Sequence, residues 1–438
     1  MNQILVFIDE QAIRTQYIIN TLLGQFQDFE MQFTSDKDVF YASDLPKFSY
    51  LKNPFVEIPN VFNGQTIETD NIFKTTYLNS ETDGFWKMMH IQADIFAFCF
   101  FVISRAEEYN TDEKDEHGRF HYKCSILSTN SKPFVPIVDV ISEELLKWLQ
   151  IFYPQLQKPG KKPETILTFD IDIAYALKAK PFVRQLGAIG RDVVTFHMKN
   201  LSDRFAVLNN RKSDPFDVYD ELEKLASEMN FPMIFFFQMR SGGKYDKAAN
   251  VKSNEFVQLV KRLSEFATIG IHPSYSGGQD ASEIVKEKQI LENITGKAVT
   301  HSRHHFLRFF MPHTARQLVS AGITHDFTMG YADTHAWRAG TSKPFQMFDV
   351  ESNEVLPLSI FPISIMDGTL LEHMHLSADE AAVMIADIIT VTRRHQGVFI
   401  PLWHNETISN YGKWKGWKEK VFYAMIQHLE QQNNTTDS

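Results

Sequence analysis

Asp170 and Asp172 stand with one residue between them at the end of the apolar run Ile166–Phe169. On a strand, residues two apart share a face, so both carboxylates would emerge together. Two carboxylates that close repel, and the arrangement persists best with a cation or a shared proton between them. One can bind a metal while the other takes a proton from an activated water. A strand end followed by a helix cap would show the same residues. Other apolar runs end in a similar way. Thr268–Ile271 leads into His272-Pro273-Ser274, and Val299-Thr300 into His301-Ser302-Arg303-His304-His305. Ile323-Thr324 leads into His325-Asp326, and Val398–Leu402 into Trp403-His404-Asn405. A single histidine of this kind reads as a hydrogen-bonded structural residue, but its recurrence at strand ends favours a His/carboxylate metal site.

The elements that would position these groups alternate. Buried-looking runs at Ile166–Phe169, Met233–Phe237, Thr268–Ile271, Val299–Ser302, Ile323–Asp326 and Val398–Leu402 predict strands. Amphipathic runs at Asp217–Met229, Asn254–Phe266, Ala281–Ile294, Ala315–Ala321 and Ala378–Arg394 predict helices. That order implies parallel strands joined by crossover helices, hence an α/β layer or barrel with its chemistry at the carboxyl ends of the strands. Residues 1–155 read as a smaller α/β domain, with strands at Leu5–Ile8 and Met31–Thr34 and helices at Gln11–Leu23 and Phe85–Val102. Thr82-Asp83-Gly84 is a turn, the acidic run Asp112–Glu116 a solvated loop, and Gln157–Pro163 a linker into a second domain, 160–438. The tail Gln431–Ser438 is expected to fray.

At 438 residues the chain is long for one hydrophobic core. Its net charge of -10, without a Lys/Arg block, gives no sign of nucleic acid as the main partner, and none is expected. Cys99 and Cys124 are its only cysteines, which excludes a disulfide framework and a multi-Cys zinc site. The run Ile95–Ile103 is too short to span a bilayer, and the N-terminus lacks the pattern of a signal peptide, so a cytoplasmic protein is expected.

Thr168-Phe169-Asp170-Ile171-Asp172 resembles the first motif of the polysaccharide deacetylases, the NodB-homology group, in its Asp-x-Asp form. His272-Pro273-Ser274-Tyr275-Ser276 sits where their His-Ser/Thr-x-x-His motif should follow. Arg303 resembles the arginine of the third motif, and Leu402-Trp403-His404-Asn405 the closing Leu-His-Asp. Ser104–Tyr109, Asp115–Phe120 and Pro136–Asp139 are similar to the signature of a bacterial branch with an extra N-terminal domain. So are Ser302–Arg308, Gly330–Asp333, Arg338–Thr341 and Ile365–Thr369 in the second half. The resemblance implies a distorted (β/α) barrel and a metal-dependent carbohydrate de-N-acetylase, most simply with zinc. Its substrate would be an N-acetylated sugar or glycan precursor.

By the same resemblance Asp170 would be the general base, Asp172 and His272 metal ligands, and His404 the acid that protonates the leaving amine. Arg303 would orient Asp170. Two departures stand out. The second metal histidine of the family falls at Ser276, a poor zinc ligand, so His305 or His304 would have to complete the set. The closing aspartate is Asn405. The rival reading is therefore a catalytically inactive carbohydrate-binding or assembly protein on the same scaffold.

Other residues carry paired readings. Arg308 and Arg338 fit a clamp on a phosphate or carboxylate, or ion pairs with Asp326 or Asp333. Asp367 fits an orienting partner of His404 or a loop aspartate before Gly368. Trp403, with Trp337, Trp414 and Trp417, fits a sugar-stacking face or core packing. Tyr245-Asp246-Lys247 reads as a mobile loop near the site.

Overall fold

The computed structural model describes residues 3–9, 12–52, 58–62, 94–129, 135–157, 162–179, 198–209, 211–229, 231–242 and 244–436. The expected turn at Thr82–Gly84, the first part of the expected helix Phe85–Val102 and the centre of the expected linker lie outside these residues.

The chain opens with strands β1 (Gln3–Ile8), β2 (Glu30–Thr34), β3 (Lys47–Leu51) and β4 (Asn60–Phe62). They pair in parallel in the order β2-β1-β3-β4. Helices Ile95–Ile103 and Ile137–Phe152 follow. The first, IFAFCFFVI, is apolar all round, and such a helix is stable only when surrounded by protein.

In the second half come β5 (Glu164–Thr165), β6 (Leu167–Ile171), β7 (Met233–Phe237), β8 (Ser241–Gly242), β9 (Asp246–Lys247) and β10 (Thr268–Ile271). Then follow β11 (His301–Ser302), β12 (His325–Asp326), β13 (Phe345–Asp349), β14 (Glu354–Ile360), β15 (Ile365–Met366), β16 (Val398–Phe399) and β17 (Pro401–His404). Nine of these form one sheet in the order β13-β14-β12-β11-β10-β7-β6-β17-β15. All its pairs with a recorded register are parallel except the hairpin β13–β14. The architecture is thus mixed α/β with parallel-rich sheets. Among the described residues this strand order records no pairing between β13 and β15, the edges whose pairing would close a barrel.

Central parallel strands are buried on both faces and read as continuous apolar runs, and β7, MIFFF, is buried throughout. Its alternate residues feed two cores: Met233, Phe235 and Phe237 join the large cluster that reaches into the N-terminal region. Ile234 and Phe236 join a smaller one with Phe327, Val398 and Ile400 on the opposite face. The helices between strands are fixed by local signals. Ser253 caps Asn254–Phe266, Asp280 and the left-handed Gly296 bound Ala281–Thr295, and a Ser377/Glu380 capping box starts Ala378–Arg394. Helix Ala424–Thr436 contains most of the tail expected to fray, packing against the helix Ala378–Arg394.

Buried charge ties the N-terminal region to the large sheet. Glu108 accepts from Arg105 and from Arg338. Burial raises its carboxyl, but the two guanidiniums outweigh that and hold it below its ordinary value. Arg338 is therefore not free to clamp a substrate, and its partner is neither Asp326 nor Asp333. Asp139, at the start of helix Ile137–Phe152, accepts from Ser342 N at 2.9 Å and from Ser342 Oγ at 2.5 Å.

Candidate metal centre and active site

β6 lies between β17 and β7, with Asp170 abreast of His404 in the register, and β10 follows on the far side of β7. Asp170 and Asp172, two residues apart, face the same cavity of about 400 Å³. His272, delivered just past β10, and His305, just past β11, line it too.

Asp172, His272 and His305 each offer a donor atom within 4.8 Å of the others. His272 Nδ1 donates to the Arg303 carbonyl oxygen at 2.6 Å, which leaves Nε2 of the neutral ring with its lone pair. That nitrogen lies 3.1 Å from Asp172 Oδ1. Both atoms are buried and without a hydrogen-bond partner. With that ring neutral, two acceptors face each other, an arrangement that a cation or a proton between them relieves. His305 Nε2 approaches the other oxygen, Asp172 Oδ2, at 3.4 Å. One carboxylate and two imidazoles form a donor set suited to a divalent transition metal with open positions, so these residues fit such an ion.

The electrostatics agree. Burial would raise the Asp172 carboxyl, but His305 and His272 hold it well below its ordinary value. Burial would likewise lower His305, yet Asp172 and Asp246 push it up to about 9. The pocket stabilises positive charge.

His305 is supported from behind. Lys247 N donates to Gln238 Oε1 at 3.0 Å, which leaves the amide nitrogen 2.7 Å from His305 Nδ1. Ligation through Nε2 places the ring hydrogen on Nδ1, where the carboxylate facing it is Asp246 Oδ1, 3.6 Å away. Asp246, expected on a mobile loop, is buried at the loop's base. It accepts from Tyr275 N at 2.7 Å, from Ser276 Oγ at 2.6 Å and from Ser276 N at 3.1 Å. Ser276 thus faces Asp246 as a hydrogen-bond donor. His304 turns away from the donor set, its Nε2 3.0 Å from the Gly278 carbonyl oxygen, and burial pushes it down to about 3.

Beside the donor set stand two oriented pairs. Arg303, fully buried, donates from Nη1 to Asp170 Oδ1 at 2.9 Å, from Nη2 to Thr168 Oγ1 at 2.8 Å and from Nε to the Phe327 carbonyl at 2.9 Å. His404 Nδ1 lies 2.8 Å from Asp367 Oδ1, and its own amide donates to Asp367 Oδ2 at 2.7 Å. Burial lowers His404, but Asp367, Asp172 and Asp170 outweigh it and raise the imidazole well above its ordinary value. Asn405 donates to the Ile173 carbonyl at 3.1 Å and the Phe216 carbonyl at 3.3 Å, which an ionised aspartate cannot do.

Several residues expected to touch substrate are engaged within the protein itself. Trp403 is 1% exposed and packs edge-on against Phe422, because its β17 position alternates away from the cavity. Arg308 donates to the carbonyls of Tyr275 at 2.7 Å and His117 at 3.1 Å, and stacks on the Tyr275 ring. Arg338 is held by Glu108. Of the four tryptophans considered, Trp414 lines the cavity. Gln238 and Glu406 were not foreseen; burial raises the Glu406 carboxyl in the cavity wall. The acidic run Asp112–Glu116, expected to be a solvated loop, contains Asp115, which pairs with Arg119 at 2.6 Å, and Arg119 lines the cavity.

Residues 4–154 match the model of a family of unknown function, DUF7033. No curated protein matches the chain. Among solved structures, a Mycobacterium smegmatis protein assigned as a polysaccharide deacetylase is 14% identical. The match has a TM-score of 0.41 and covers 63% of this chain and 85% of that one. A CE4-family pseudoenzyme from Bacillus anthracis is 11% identical with a TM-score of 0.32, each chain covered to 63%. A mutant of it described as having restored enzymatic activity is 12% identical with a TM-score of 0.33, covering 63% of this chain and 65% of that one. Among the described residues no helix is long and apolar enough to cross a membrane.

Proposed function

We propose that the protein is a metal-dependent hydrolase of the polysaccharide deacetylase type, removing an N-acetyl group from an amino sugar. In this reading residues 160–438 form the catalytic unit, a distorted barrel, and residues 1–155 an accessory unit docked on it. The observation that carries the proposal is the unpartnered, buried pair His272 Nε2 and Asp172 Oδ1, set beside Asp170–Arg303 and His404–Asp367.

Asp172, His272 and His305 would hold the cation, with zinc the first choice for this donor set. When bound, such an ion supplies Lewis acidity toward the amide carbonyl and the attacking water. The remaining steps belong to the chain. Asp170, fixed by Arg303, takes a proton from the water as its oxygen bonds to the acetyl carbon. His404, held protonated by Asp367, gives its proton to the nitrogen as the C–N bond breaks. Acetate and the free amine are the products. Because both dyads are locked in place, little reorientation is needed during the reaction.

The binding-protein alternative drew its support from Ser276. With Ser276 engaged by Asp246 and His305 placed beside Asp172, the catalytic reading is preferred. Metal content by elemental mass spectrometry, together with acetate release from N-acetylglucosamine oligomers and from simple amides, tests it. Near-stoichiometric metal with acetate released from the oligomers is expected. A protein that takes up no metal on reconstitution and releases no acetate would be the binding protein instead.

A further inference from the structure

We infer that Arg119, delivered from the N-terminal region, makes the catalytic cavity selective for an amino sugar bearing a negatively charged group, a phosphate or a carboxylate. The inference rests on the deacetylase reading and names the substrate class within it.

Arg119 sits on a tight turn built to present it. Asp115 Oδ1 accepts from His117 N at 2.9 Å and Arg119 N at 2.7 Å, Gly118 takes a φ of 78°, and Lys114 bridges to Phe120. The turn is fastened to the loops that carry the candidate ligands. The His117 ring packs on Tyr275 and Phe306, with centroids 5.7 and 4.6 Å away, and its carbonyl accepts from Arg308. Phe306 and Leu307, next to His305, both adopt positive φ, and Arg119 Nη1 donates to the Phe306 carbonyl at 3.1 Å.

The guanidinium is held at two of its three nitrogens, Nε and Nη1. Nε donates to Asp115 Oδ2 at 2.6 Å, while Nη2 makes no hydrogen bond among the described residues. A guanidinium in a cavity wall, oriented by a carboxylate and a carbonyl and with one nitrogen uncommitted, can take an anion there. Lys244 and Lys247 line the same cavity, and both are exposed. Lys413, also in the wall, pairs with Glu372, Asp170 with Arg303 and Arg119 itself with Asp115, so Lys244 and Lys247 are the cations of the wall without a carboxylate at ion-pair distance among the described residues.

Arg119 and His373 also border a second cavity of about 320 Å³. Its other walls include Asp115, Glu116 and Asp333, so an anion is favoured on the Lys244 and Lys247 side of Arg119 and repelled beyond it. The second cavity leaves room for a neighbouring unit of a glycan.

The test is isothermal titration of the metal-reconstituted protein with N-acetylglucosamine, N-acetylglucosamine 6-phosphate and N-acetylmuramic acid, with acetate release followed in parallel. One charged probe is expected to bind about tenfold or more tighter than the neutral sugar, and which one identifies the anion. In Arg119→Gln that ratio should collapse toward one. Since Arg119 also braces Phe306, the exposed pair Lys244→Gln/Lys247→Gln provides a second reading and should lower the ratio as well. Equal affinity for all three probes, no binding of any, or a ratio unchanged in both variants overturns the inference. A charge preference without acetate release would defeat the hydrolase reading but keep the anion site; acetate release without the preference would do the reverse.

Discussion

His272 Nδ1 donates to the Arg303 carbonyl oxygen at 2.6 Å, while the Arg303 side chain donates to Asp170 at 2.9 Å. One residue therefore sets the tautomer of a candidate ligand through its main chain and the position of the candidate base through its guanidinium. This coupling follows from the adjacency of β10 and β11, which pair at Ile271 and Ser302. Supporting hydrogen bonds of this kind orient a ligand and tune its basicity.

Metal binding should depend on each of Asp172, His272 and His305. Alanine at any one removes a third of the donor set, and metal affinity is expected to fall by about a hundredfold or more, beyond the loss seen for supporting residues. His305→Ala is the most informative, because its position past β11 replaces a ligand expected on the loop after β10. Metal content at stoichiometric loading that matches wild type in His305→Ala would remove His305 from the centre.

Asp170→Asn should separate chemistry from binding. Asparagine retains an oxygen for Arg303 and leaves Asp172, His272 and His305 untouched, so metal content and fold are expected to persist. The amide cannot take a proton from water, and turnover should drop by about 10²–10⁴-fold, the usual worth of a general base. Acetate release at the wild-type rate would show that another group removes the proton.

Much of this arrangement was legible in the sequence because it sits at the ends of strands with strong local signals. The runs at Met233–Phe237 and Thr268–Ile271 match β7 and β10 as predicted, and helices Asn254–Phe266 and Ala378–Arg394 match to the residue. Continuous burial and clear caps leave little ambiguity there. The hairpin β13–β14 was missed: in Glu354–Ile360 a proline interrupts the strand pattern, and the antiparallel pair breaks the βα alternation. Trp403 and Arg338 were misplaced for a different reason. Residue type says that a tryptophan or arginine can hold a sugar, but only the pleat of β17 and the location of Glu108 decide where each side chain goes. Asp246 and Gln238 carry no motif; their role arises from β7 and the β8–β9 hairpin meeting His305 in space.

Arg338→Ala should destabilise the protein without altering the cavity. The substitution leaves Glu108 buried with Arg105 as its remaining guanidinium partner, and breaking a buried pair costs about 3–5 kcal/mol. Urea unfolding of the two proteins measures the difference, and metal content of the folded variant should match wild type. A change within about 0.5 kcal/mol, typical of an unremarkable surface substitution, would mean that Arg105 suffices.

The alkaline limb of the pH–rate profile should report His404. As the proposed acid it is active when protonated. Burial opposes that charge, but Asp367 and the two centre aspartates raise its pKa well above the ordinary value near 6.5. The required form is therefore fully populated below that value and lost as pH rises through the raised one, so activity should persist above neutrality before it falls. The same shift contributes stability that is present at low pH and disappears over that window. Asp367→Asn keeps an oxygen for the His404 amide but removes the charge 2.8 Å from Nδ1, the largest of the raising influences. Its alkaline limb should move to lower pH, with kcat reduced at neutrality and recovered in part on acidification. An alkaline limb unmoved by Asp367→Asn would assign it to a group other than His404.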